Sequence, residues 1–208
     1  MGREGVMPKG LQNVFKSIHY NSPVILTMTF LSLGALILQL ITHGHSTLLL
    51  FSVYRSSPLD ILSYFRLFGH VLGHLNWEHY INNFLLILLL GPMLEEKYGS
   101  KNMVFMIIIT ALVTGLLNII LFPNVRLLGA SGVVFMLILL SSFVNFKKGR
   151  IPLTFILVVV IYLGGEVMNG LLARDNISQL THLVGGICGS VFGFRWSERH
   201  QPSAKSNY

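Results

Sequence analysis

Leu127-Leu-Gly-Ala-Ser-Gly-Val-Val-Phe-Met-Leu-Ile-Leu-Leu140 sets one hydroxyl, Ser131, between two glycines at the head of an apolar segment. Taken alone the stretch reads as a packing surface, because small residues are the usual means by which membrane helices approach closely. It acquires a chemical reading only if the rest of the chain brings partners to that serine.

Composition defines the setting. The chain has 208 residues, 52% hydrophobic and 11% charged, with a mean hydropathy of +0.66, too apolar for a soluble domain of ordinary composition. Several apolar runs approach the roughly 20 residues that a helix needs to cross a hydrocarbon core about 30 Å thick. The polar stretches between them are too short for a separate globular domain. The expectation is one all-α membrane domain over 23–196, preceded by a polar segment over 1–22 and followed by a tail over 197–208.

The net charge of +7 does not indicate nucleic acid, because Lys and Arg stand at the ends of the apolar runs and not along one amphipathic face. Anchoring and orientation explain them. A single cysteine, Cys188, excludes an intrachain disulfide and argues against a thiolate metal centre. No metal or other cofactor is implied. The first apolar run starts only near Pro23 and reads as a retained span rather than a signal peptide.

The pattern predicts six spans, at about 23–41, 77–97, 102–122, 131–146, 152–172 and 178–194. Asn21 and Ser22 are available to cap the first, and Asn76 the second. Gly91-Pro92 is expected to loosen the inner end of the second span, and Pro152 opens the fifth, where its missing N–H matters least. Residues 43–76 are half apolar and rich in aromatics, but Ser56-Ser57-Pro58 breaks them. They read as a loop lying in the headgroup region.

An even number of spans puts both termini on one side. Arg3, Lys9, Lys16, Lys97, Lys101, Lys147, Lys148, Arg150, Arg195, Arg199 and Lys205 fall on that side, against Arg55, Arg66, Arg126 and Arg174 on the other. Both termini are therefore expected in the cytoplasm, with the bacterial plasma membrane as the expected location. The fourth and sixth spans then both begin at the outer face, and Ser131 lies just below it.

Polar residues inside spans are costly and are functional candidates by default. They are His79, Asn82, Asn83, Asn118, Ser131, Glu166, Asn169 and His182. His182 is four residues past Ser178, about 6 Å along its helix, a depth similar to that of Ser131. A serine and a histidine at one level of two helices can form a nucleophile and its base, although a lone histidine in a span also serves as interhelical glue. Gly185 and Gly189, four residues apart, form a thin ridge on the helix that carries His182, and Gly129 and Gly132 offer a matching thin surface. His79 and Asn83 share a helical face and can donate hydrogen bonds to an oxyanion, together with the backbone N–H of Ser131. Asn83 also fits interhelical packing, and His79 a metal ligand. Glu166 reads by default as a structural hydrogen-bond partner, with a water path as the other option.

His70-x-x-x-His74-x-x-x-x-His79-x-x-x-Asn83, then Gly129-Ala-Ser131-Gly132, then His182-Leu-Val-Gly185-x-x-x-Gly189 together resemble the rhomboid intramembrane serine proteases. The resemblance extends over about residues 65–189 and includes Phe65-Arg66, where the family has Trp-Arg, and Glu95-x-x-x-Gly99. It implies a six-helix bundle with an interfacial first loop and a Ser131–His182 dyad without an aspartate. It implies an oxyanion hole from His79, Asn83 and backbone N–H groups, and a structural role for His74. It further implies that the fifth span and the loop above the site gate the entry of substrate and water. The implied partners are the lipid bilayer and single-span membrane proteins, cut near the outer end of their span, with no nucleic acid. Two positions depart from the pattern. Phe135 stands where many members carry a tyrosine against the histidine, and Phe65 replaces the loop tryptophan; neither removes a reacting group. The rival readings are a catalytically silent rhomboid-like protein that binds membrane clients, and a histidine-rich metal or ion transporter using His43, His45, His70, His74 and His79.

Overall fold

The computed structural model describes residues 19–144, 153–158, 160–161 and 176–199. Its elements are α1 Pro23–Ile41, α2 His45–Leu49, α3 Ile61–Gly69 continuing into a 3₁₀ turn His70–Leu72, α4 Trp77–Tyr98, α5 Ser100–Leu121, α6 Ser131–Ser141, α7 Leu153–Val158 and α8 Asn176–Arg199. Extended pairing among the described residues is limited to an antiparallel bridge between Val53 and Leu127. The fold is all-α, and α1 and α5 are long and apolar enough to cross a bilayer.

Helix α6 is the centre of the bundle. Every residue from Gly132 to Leu140 is buried, as expected of a helix that is apolar on all sides. It is shorter than the 131–146 expected from the sequence. Its 11 residues span about 16 Å, and a turn follows in which Ser142, Phe143 and Val144 donate to carbonyls three residues back. Ser141 supplies a local reason, since its Oγ donates to the Ile138 carbonyl at 2.7 Å and hydroxyls that bond their own backbone weaken a helix. Residues 145–146, most of the fifth span, Glu166 and Asn169 lie outside the described residues.

The first span is found at its expected bounds, but its cap is not local. Ser22 stands at the N-cap without a capping side-chain bond. The carboxylate of Glu95, near the end of α4, accepts instead from Val24 N at 3.0 Å and Ile25 N at 3.1 Å, and also from Ser100 Oγ at 2.7 Å. One buried acid thus ties the first turns of α1 and α5 to α4 and complements their N-terminal dipoles. Asn76 caps α4 as expected, its side chain accepting from His79 N at 2.8 Å. Gly91 and Pro92 are accommodated inside an α4 that runs unbroken from Trp77 to Tyr98. The last helix continues to Arg199, so the tail boundary expected at 197 falls within it.

Residues 43–76 carry regular structure that the expected loop did not include. Asp60 caps α3 by accepting from Leu62 N at 3.1 Å and pairs with Arg66. The Arg66 side chain is 2% exposed and also donates to Tyr54 Oη at 2.8 Å, Ser56 Oγ at 3.3 Å and the Leu49 carbonyl at 3.3 Å. A guanidinium with that many donors can close a loop from inside. Leu59, Ile61, Tyr64, Phe65 and Phe68 remain exposed, which suits a unit lying at the edge of a bilayer.

Candidate active site

Ser131 is the first residue of α6, with Ala130 at the N-cap. The helical ladder opens with Val134 N donating to Ala130 O at 2.9 Å. The N–H groups of Ser131, Gly132 and Val133 therefore precede it and face the helix entrance, where they and the dipole favour negative charge. Three ties hold the entrance in place. Val53 and Leu127 exchange backbone bonds of 2.8 and 2.9 Å, and Gly129 N donates to the His70 carbonyl at 2.9 Å. The amide of Asn118 donates to the carbonyls of Val53 at 3.3 Å and Val125 at 3.1 Å.

Helix α8 lies along α6 in the same direction, and glycine sets the separation. A Cβ on Gly185 would fall on the carbonyl oxygen of Gly132, and one on Gly189 on that of Met136. Gly193 continues the ridge against the Phe143 ring, a third member that the Gly-x-x-x-Gly spacing extends to and that went unremarked in the sequence. This register decides where His182 stands. Gly185 meets Gly132, one residue past the serine, and a Cβ on Gly132 would stand 3.2 Å from the side chain of Thr181, the residue before His182. The imidazole of His182 stacks on the Phe135 ring, with centroids 4.3 Å apart and planes 7° apart. Phe135 is one turn after Ser131, on the same helical face.

Gly129 departs from its expected use. Its φ of +119° and the lack of a side chain make room for His79, whose Cε1 and Nε2 would stand 2.8 Å from a Cβ there. Asn83 is 3.9 Å from the same point. The face of α4 that carries His79 and Asn83 is thus brought against the entrance of α6, while Asn82 is exposed.

Behind that face runs a buried polar relay. Asn83 Nδ2 contacts His74 Nε2 at 3.1 Å and donates to the His79 carbonyl at 3.0 Å. On its other side His74 Nδ1 meets Ser32 Oγ of α1 at 3.0 Å, and Ser32 donates to the Leu72 carbonyl at 2.8 Å. His74 therefore links α1 to α4. Burial, and then the charge of His79, push its pKa down to about 4. His70 is also held neutral, its pKa lowered to about 4 by burial, with Nδ1 on the Arg66 carbonyl at 3.2 Å and Nε2 facing Thr114 Oγ1 at 3.4 Å. Among the described residues no group of three metal-ligating side chains forms. Ser32 and Asp60 were missed in the sequence. A serine in an apolar span usually bonds its own helix, and Asp60 would have been legible as a cap before Ile61-Leu62.

A family model described as Rhomboid domain matches residues 62–199. No curated protein matches the chain.

Proposed function

The chain belongs to the rhomboid family, and we propose that it is an active intramembrane serine endopeptidase. The observation that carries this reading is the register of α8 on α6, with Gly185 on Gly132 and His182 stacked on Phe135 at 4.3 Å. It supports reading His182 as the base for Ser131, the first residue of the buried helix α6.

In the proposed reaction His182 takes the proton of the Ser131 hydroxyl as its oxygen attacks the scissile carbonyl. The resulting oxyanion meets the N–H groups at the head of α6, with the His79 ring as a side-chain donor. His182 then returns the proton to the leaving amine. Water, deprotonated by the same imidazole, attacks the acyl-enzyme and frees Ser131. The amide hydrogens of Asn83 face His74 and the His79 carbonyl. Asn83 thus becomes an oxyanion donor by exchanging one of these bonds, and otherwise acts by fixing His79.

The distribution of Lys and Arg supports both termini in the cytoplasm and the site near the opposite face. The proposed substrates are single-span membrane proteins cut near the outer end of their span. The test is cleavage of a single-span reporter by the purified protein in lipid, beside Ser131→Ala and His182→Ala. Cleavage by the parent and loss of at least about 10³-fold in each variant is expected. Equal cleavage by all three would remove the dyad, and no cleavage by the parent would favour a silent client-binding role.

A further inference from the structure

We propose that the groove between α5 and α8, at the end of the bundle away from Ser131, binds an anionic phospholipid with one acyl chain in the groove and its phosphate on Arg195. The groove encloses about 440 Å³. Its walls are Phe105 and Ile109 of α5 against Ile187 and Val191 of α8, and its mouth carries Asn102, Arg195 and Trp196. Phe105 is 57% exposed and Ile187 53%, so the walls present apolar surface to whatever fills the groove. From Ile187 to Trp196 the groove runs about 13 Å along the helix, close to the roughly 15 Å of hydrocarbon in one leaflet.

Its polarity changes along that length as a lipid's does, from an apolar floor to a mouth with an amide, an indole and a guanidinium. The mouth is fixed. Trp196 meets Tyr98 edge to face at 5.0 Å, and Asn102 Nδ2 donates to the Tyr98 carbonyl at 2.7 Å. An indole anchored in this way belongs at the headgroup level. Arg195 is exposed beside it, and none of the described residues lining the groove is acidic. A fork of donors at the end of an apolar slot pairs with a lipid phosphate, and does so best where the headgroup has no cation of its own to compensate that charge, as a zwitterionic one has.

The inference is independent of the protease reading, and symmetric vesicles make it independent of which leaflet the mouth faces. The chain has two tryptophans, so Trp77→Phe leaves Trp196 as the reporter. This protein is placed in phosphatidylcholine vesicles containing either brominated phosphatidylglycerol or brominated phosphatidylcholine, and quenching is followed against mole fraction. Half-maximal quenching is expected at about fivefold lower mole fraction for the anionic lipid. Adding Arg195→Gln should erase the difference, and Arg195→Lys should keep part of it; a melting curve for each variant shows that it is folded. Equal quenching by both lipids, or a preference unchanged in a folded Arg195→Gln variant, would overturn the proposal.

Discussion

Ser131 is flanked by two regions built on different physics. Towards α8 the contact is between backbones, made possible by side chains that are absent: Gly185 on Gly132 and Gly189 on the Met136 carbonyl. Towards α4 the contact is a chain of polar groups that are present, from Ser32 through His74 to Asn83. A glycine seam leaves no room for an added atom but carries nothing that titrates. A buried polar relay has the reverse character, because unpaired or charged members cost more than changes of shape. Placing His182 and placing His79 are therefore vulnerable to different insults.

The largest expected effect comes from filling the seam. Gly185→Ala puts a methyl where the Gly132 carbonyl stands, and neither backbone can yield without parting α8 from α6. A loss of about 3 kcal/mol is expected, at the upper end of ordinary overpacking. Reporter cleavage should fall at least about 10²-fold, because a displacement of about 1 Å at the reacting groups is enough for that. Thermal unfolding in detergent and the cleavage assay check both numbers. A variant with parental melting and cleavage would show that the seam is not what positions His182.

Acid should act on the other region. His70 is buried and neutral, with its pKa lowered to about 4 from an unfolded value near 6.5. Protonation therefore favours the unfolded chain. The contribution to stability is complete above about pH 6.5, is lost as pH falls towards 4, and changes no further below that. The loss approaches about 3 kcal/mol for this group, and His74 adds in the same direction. Melting temperature followed from pH 7.5 to 4 should fall in the parent and fall less steeply in His70→Asn, where the slope that remains belongs to His74. Gly185→Ala should lower the whole curve without changing its slope. If His70→Asn left the slope intact, the contrast between the two regions would fail.

The two regions also differed in how far the sequence could be read. The seam was legible because its signal is local: a glycine every fourth residue on one helix, and a serine between glycines on another, both at helical spacing. The bounds of α1 and the capping of α4 by Asn76 were legible for the same reason. The relay was not, since Ser32, His74 and Asn83 come from three separate segments and only the fold joins them. Glu95 shows the same limit. Its place in a polar turn was visible, but not that it caps α1 from about 70 residues away. Gly129 was read as part of the seam because its neighbours are, yet its positive φ turns it towards His79. The short α6 escaped because apolar residues continue to Phe146, and hydropathy does not register a hydroxyl that bonds its own backbone.

The smallest expected effect tests whether Phe135, the aromatic ring of the seam one turn from Ser131, acts by shape or by polarity. Phe135 and His182 lie parallel at 4.3 Å, so ring contact contributes to orienting the imidazole. Phe135→Leu keeps most of the apolar volume but removes the stack, worth about 1 kcal/mol, and kcat/KM should fall about fivefold. Phe135→Tyr keeps the stack and adds one oxygen to a residue that is 7% exposed. Its effect should stay within about threefold, provided that the new hydroxyl finds a partner at the helix entrance. A gain well beyond that would mean that the hydroxyl holds His182 in a way the ring alone does not. In that case the α8 side of Ser131 would prove to need a polar group after all, and the division between a dry seam and a polar relay would have to be redrawn at this residue.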